Sequence, residues 1–221
     1  MRSRKRLATR SLVPISVVSK VWRDAMRRVF LYTAILVALL PALASAQEPP
    51  TASGVILYFE NQGSLFLLHA DHTGDSDRGW GTFGGMIEPG ETPRQAAVRE
   101  LLEETRCVFN ETTAARLVAG SDSVMAGDYV AYVVEVPYVP VYLFESLDLP
   151  QGCQSNIYLE RGPYAWIPLA EILRVLSLGE SGEEMIIHPG MLPRGAHPHL
   201  WKRSAEVVRL ALEAGLFPTG E

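Results

Sequence analysis

The sequence predicts an α/β (α+β) fold, a mixed β-sheet sandwiched between α-helices. Three observations predict it. Short runs rich in β-branched and aromatic residues are bounded by Gly, Pro and Asn turn signals. Longer runs carry helical start and stop signals. The two kinds follow one another without a regular βαβ order, which points to a mixed sheet. The chain has 221 residues, of which 48% are hydrophobic and 20% charged. That is enough for one domain with a substantial core, and it excludes disorder, collagen and coiled coil as descriptions.

The elements follow in chain order. Residues 55–60 and 65–68 read as strands, with Asn61-Gln62-Gly63-Ser64 as a hairpin signal. Residues 71–81 are polar and glycine-rich, hence a loop. A helix is expected from Thr92, with Pro93 in its first turn, to about Thr105. Residues 129–136 and 139–144 read as strands bent at Pro137 and Pro140. Residues 164–167 form a short strand leading into a helix from Leu169 to about Leu176. A last amphipathic helix covers residues 199–214, with Gly215 as its stop.

The first 46 residues differ from the rest. They hold nine Lys or Arg and one acid, Asp24, against 20 basic and 25 acidic residues in the whole chain. Arg27-Arg28 precedes an uncharged run over residues 29–46 that ends Ala44-Ser45-Ala46. A basic stretch, an apolar stretch and a small-x-small site make a secretory signal peptide, starting at Met1 or Met26 and cleaved after Ala46. An uncleaved membrane anchor is the alternative, although the apolar run falls short of a span of ~20 residues. Arg27-Arg28 also fits a twin-arginine signal. The reading divides the chain into a signal peptide, 1–46, a short linker, 47–53, and a domain, 54–221. The predicted location is secreted or periplasmic.

The remaining body is acidic and has no basic stripe, so binding to a nucleic-acid polymer is not expected. A small anionic substrate would need local positive charge or a metal. The sequence says nothing of oligomeric state. The two cysteines, Cys107 and Cys153, pair as one disulfide if the chain is exported. Two buried free thiols are the alternative. The histidines lack zinc-ligand spacing.

The chemistry lies in residues 84–104. On a helix, Glu100, Glu103 and Glu104 fall within an arc of roughly 100°, with Ala97, Val98, Leu101 and Leu102 expected on the other side. Three carboxylates at these offsets repel one another. Arg99 cannot neutralise all three. A hard divalent cation, Mg²⁺ or Mn²⁺, is the usual remedy, since it takes oxygen ligands. Gly84 and Gly85 let the backbone approach, so a carbonyl there is a further candidate ligand. A bland, solvated acidic face is the competing reading.

The pattern G-x5-E-x7-R-E-L-x-E-E, from Gly85 to Glu104, resembles the Nudix box of the Nudix hydrolase family. The resemblance implies the Nudix fold and metal-assisted hydrolysis of a diphosphate linkage in a nucleoside diphosphate derivative, or a similar small molecule. It implies that Glu100, Glu103, Glu104 and the Gly84 carbonyl hold metal. It also implies that Glu91 pairs with Arg99 to fix the loop and helix. A catalytically silent nucleotide-binding or sensor protein of the same fold is the alternative. Two positions depart from the pattern: Arg106 stands where a glycine usually follows the glutamates, and Phe83 where a proline often precedes the two glycines. Arg in a left-handed helix stop costs about 1 kcal/mol relative to Gly but removes no ligand. Glu104→Gln is expected to lose activity while keeping the fold.

Two further candidates stand outside the box. Trp80 either stacks on a substrate base or anchors its loop. Glu160 precedes Arg161-Gly162-Pro163, read as a turn. It resembles the loop glutamate that, in several Nudix enzymes, reaches the box helix as general base or ligand. Pairing with Arg161, or plain solvation, is the other possibility.

Overall fold

The computed structural model describes residues 48–72, 78–146, 148–153 and 155–218. Residues 1–47, with the expected signal peptide and its cleavage site, lie outside the described residues. The segment Glu48–Glu221 is a compact unit of its own.

Seven strands form one mixed sheet: β1 (Ala52–Asn61), β2 (Ser64–His72), β3 (Trp80–Gly81), β4 (Phe83–Met86), β5 (Ser123–Ala126), β6 (Tyr129–Glu135) and β7 (Arg161–Pro168). The main order is β3-β2-β1-β6-β5, with β4 on β1 and β7 on β2. β1 is central. It runs parallel to β6 along its length, and it pairs antiparallel with β4 near its start and with β2 near its end. The β1–β2 connection is a two-residue loop, Gln62-Gly63, between the paired residues Asn61 and Ser64. Both loop residues have positive φ, as a type I′ hairpin turn requires.

β1 explains the sandwich. Its residues alternate between the two faces, and both faces are buried. Val55 and Leu57 join Phe83, Leu101, Val118 and Tyr164 on one side. Ile56 and Tyr58 join Ile167, Ile172, Val207 and Val208 on the other. Helices α1 (Pro93–Glu104) and α2 (Glu111–Ala119) cover the first face. Helices α4 (Leu169–Glu180) and α5 (Lys202–Glu213) cover the second. The mixed sheet between helices is therefore the fold that the sequence predicts.

Four local expectations need correction. The expected linker reaches Ser53, but β1 begins at Ala52, which pairs with both Met86 and Tyr129. Residues 139–144 are not a strand. Val141–Phe144 is one helical turn, α3, entered through Pro140, with Phe144 buried. Proline has no N–H to give a ladder, and among the described residues this segment has no strand partner. Residues 161–163 are not a turn but the start of β7, where Arg161 pairs with His72. Of the expected 71–81 loop, residues 71–72 extend β2 and residues 80–81 form β3.

Candidate active site

Helix α1 is set by its start. The Thr92 hydroxyl accepts from the Gln95 N–H, and the Gln95 side chain accepts from the Thr92 N–H. Pro93 occupies the first turn. Such a capping box is worth about 1 kcal/mol. The helix ends at Thr105. Arg106 and Cys107 both have positive φ, and the Cys107 N–H donates to the Leu102 carbonyl. This is a Schellman-type stop with arginine at the position glycine usually takes. The Arg106 side chain offsets its backbone cost. Its Nη2 donates to the Arg161 carbonyl at 2.9 Å, and its guanidinium lies 5.7 Å from the Tyr164 ring. The other departure, Phe83, is fully buried and stacks on Tyr164.

The glutamates do not face away from the packed side of α1. Glu100 and Glu104 are buried alongside Ala97 and Leu101. The cause lies in β4, which presents Gly84-Gly85 to the helix and leaves room for carboxylates. A Cβ on Gly85 would stand 2.3 Å from Glu100 Oε1, and one on Gly84 would stand 2.7 Å from the Ser53 carbonyl oxygen. Glycine is required here by close approach.

Each carboxylate has a defined partner. Arg99 gives Nε to Glu91 at 2.9 Å, Nη1 to Glu100 at 2.8 Å and to Glu103 at 3.1 Å, and Nη2 to the Met86 carbonyl at 2.7 Å. One guanidinium thus ties the loop at Glu91 to the helix. Glu104 accepts the Gly84 N–H at 2.6 Å and Arg161 Nε at 2.5 Å. Arg161 is the residue that sequence reasoning missed. It lies 57 positions from Glu104, and only its place at the start of β7, opposite His72, brings it there. This changes the expectation for Glu104→Gln. Removing one partner of a buried ion pair typically costs about 3–5 kcal/mol, so the variant is expected to lose stability as well as activity, and relief of repulsion among the glutamates does not offset that.

Glu100, Glu103, Glu104, Glu160, Gly84 and Gly85 line one cavity of about 520 Å³, with His72, Arg78, Arg99 and Arg161 on its walls. Glu160 is exposed there and does not pair with Arg161, whose salt bridge goes to Glu104. Trp80 does not reach this space. It is fully buried, and its Nε1 donates to the His197 carbonyl at 2.7 Å. It anchors the chain and offers no face to a base. A larger groove of about 1050 Å³ opens beyond Arg78 and Trp201, but no box carboxylate lines it. Cys107 and Cys153 are disulfide-bonded, with Cα atoms 6.4 Å apart.

The electrostatics are those of crowded acids. Burial, then the neighbouring Glu104, pushes the Glu100 carboxyl up to about 7 despite Arg99. Burial also raises Glu103 and Glu104, the latter against Arg161 and the Gly84 N–H. Burial and then Arg161 hold the His72 imidazole neutral, its pKa down at about 3. Among the described residues no three of His, Cys, Asp and Glu are already grouped as a metal cage, and two arginines pair with the acids. The donor set nevertheless fits a hard divalent cation, since it is oxygen-only, one-sided, close to a bare glycine backbone and held at a charge density that burial penalises.

A prediction follows for the metal-free protein. A folded-state pKa raised above the ordinary carboxyl value contributes stability at low pH, and that stability is lost as pH rises toward the folded pKa. For Glu100 the window runs from 4.5 to about 7, and Glu103 and Glu104 act in the same sense. In chelator, Tm should fall between pH ~5 and ~8, and Mn²⁺ at pH ~8 should restore it. A flat or rising Tm in chelator would count against carboxylate crowding.

The NUDIX domain family matches residues 48–185 of the chain. Among solved structures, the chain is similar to the NUDIX domain of Shewanella oneidensis NrtR complexed with ADP ribose. The two are 15% identical over 80% of this chain and 97% of that one, with a TM-score of 0.45. It is also similar to a MutT/nudix family protein from Enterococcus faecalis, 17% identical over 61% of this chain and 50% of that one, TM-score 0.35. A C. elegans Ap4A hydrolase is 18% identical over 59% of this chain and 89% of that one, also at 0.35.

Proposed function

Because the chain belongs to the Nudix hydrolase family, we propose that it cleaves a diphosphate linkage in a nucleoside diphosphate derivative or a similar compound. The observation that carries this reading is the convergence of Glu100, Glu103, Glu104 and Glu160 on one cavity beside Gly84-Gly85. Glu100, Glu103, Glu104 and the Gly84 carbonyl would hold Mg²⁺ or Mn²⁺. The bound cation would screen the diphosphate charge and polarise the bond to be broken. Arg99 and Glu91 keep the loop and helix in register through the ion pair already described. Glu160, exposed and lining the same cavity, would take the proton of the attacking water.

Glu160→Gln should therefore lower kcat by roughly 10²–10⁴-fold with little change in Tm, the range for losing a general base. A variant that turns over at the wild-type rate would pass that role to Glu100 or Glu103.

The second reading is a silent nucleotide-binding or sensor protein, and the arginines that already pair with the box acids favour it. Incubating the purified protein with a panel of nucleoside diphosphate derivatives and Mg²⁺ or Mn²⁺ separates the two. Metal-dependent product release supports the enzyme. Ligand that is bound and recovered intact supports the sensor.

Export is the remaining part of the proposal, supported by the basic stretch, apolar run and Ala44-Ser45-Ala46. It would direct the site at an envelope or extracellular diphosphate compound. N-terminal sequencing of the natural protein should begin at Gln47. A mature chain that keeps residues 29–46 would be a membrane-anchored form.

A further inference from the structure

His72 and Arg161 face each other across the β2–β7 pairing at one end of the sheet, and both line the cavity that holds the box carboxylates. Arg161 is only 4% exposed. Its Nε serves Glu104, and its Nη2 makes a long contact of 3.4 Å with the Thr82 carbonyl. Its Nη1 is buried with no hydrogen-bond partner among the described residues, and the same holds for His72 Nε2. Buried polar groups are nearly always satisfied, so two orphans on one wall call for an explanation. A guanidinium nitrogen buried without a partner, on a residue that lines a cavity, is suited to an anion, because its planar fork matches phosphate oxygens. The neutral His72 ring can present an N–H there without adding charge. The rest of the lining is largely acidic, with Glu88, Glu100, Glu103, Glu104 and Glu160, so this pair is a counterpart to the carboxylates and not a duplicate of them.

We propose that Arg161 Nη1 and His72 Nε2 form the anion half of the site. They donate to non-bridging oxygens of one phosphoryl group, while the rest of the diphosphate faces Glu100, Glu103 and Glu104. The proposal rests on the diphosphate reading and adds to it the residues that bind the phosphate. Arg161 bridges the two halves: Nε fixes Glu104, and Nη1 has no partner among the described residues. A lysine at 161 would keep the charge but not both contacts. A phenylalanine at 72 would keep an aromatic ring against Trp201, where His72 makes an edge contact at 4.8 Å, and remove the ring nitrogens.

The test is titration of the purified full chain with inorganic pyrophosphate in saturating Mn²⁺, for wild type, Arg161→Lys and His72→Phe. Mn²⁺ affinity and Tm are measured on the same samples. Hydrogen bonds to charged groups imply a loss of roughly tenfold or more in pyrophosphate affinity for Arg161→Lys, and a smaller loss for His72→Phe. His72→Phe should keep wild-type Mn²⁺ affinity and Tm, so the proposal does not depend on Arg161→Lys folding. Wild-type pyrophosphate affinity in His72→Phe and Arg161→Lys overturns the cradle and leaves the diphosphate reading intact. So does a loss that only tracks Mn²⁺ affinity, which would make Arg161 a partner of Glu104 and nothing more. A wild-type protein that binds Mn²⁺ but no pyrophosphate overturns both.

Discussion

Glu100→Gln should lower hydrolysis by roughly 10²–10⁴-fold, the range seen when a group acting directly in a transition state is removed, while the metal-free fold stays at least as stable as wild type. Glu100 is buried, and its carboxyl is already held up at about 7 by burial and by Glu104. A neutral amide of the same shape removes a charge that the fold opposes, and its oxygen can still accept from Arg99. Glu104→Gln should lose activity comparably but for mixed reasons. It leaves the Arg161 guanidinium buried without its counter-ion, at a cost of about 3–5 kcal/mol. The two variants, compared for Tm in chelator and for turnover in Mn²⁺, separate the chemical role from the structural one. Equal destabilisation by both would mean that the ion-pair geometry around Glu104 does not hold in solution.

Removing the disulfide should lower stability about as much as breaking the Glu104–Arg161 pair. Cys107 follows the stop of the box helix, and Cys153 lies in the segment that leads to Glu160 and β7. The bond closes a separation of 46 residues. In the chain-entropy model that is worth ~4 kcal/mol, or a Tm lower by roughly 8–16 °C for a domain of this size. Cys107→Ser combined with Cys153→Ser should show this drop, and reduction of the wild type should match it. Two thiols titratable in the native, unreduced protein would instead mean that the bond does not form.

The box was legible because its information is local. The helix start at Thr92-Pro93, the glutamate spacing and the two glycines lie within about 20 residues, and each has a direct physical consequence. The Glu91–Arg99 pair came with the same motif. What was not legible is long-range. Nothing near Arg161 marks it as the partner of Glu104, and the pairing exists only because β7 joins β2 next to His72. Trp80 was ambiguous for the same reason, since its burial depends on residues 197–201 arriving from the far end of the chain. Helix α2 went unassigned although Asn110 caps it by accepting from the Thr113 N–H. Its buried residues are only Ala114 and Val118, too few to set a period. The 139–144 segment misled because its β-branched and aromatic residues fit a strand, while Pro140 and the lack of a partner made it a turn of helix.

The central claim is that one face of helix α1 holds the divalent cation on which hydrolysis depends. Mn²⁺ titration of the wild-type chain and of Glu100→Gln, at a pH above the Glu100 range, tests it most directly. The account predicts specific Mn²⁺ binding to the wild type and an affinity at least about tenfold weaker in the variant, comparable to or beyond the loss on mutating an outer-shell residue of a metal site. Equal Mn²⁺ affinity in the two proteins would contradict it.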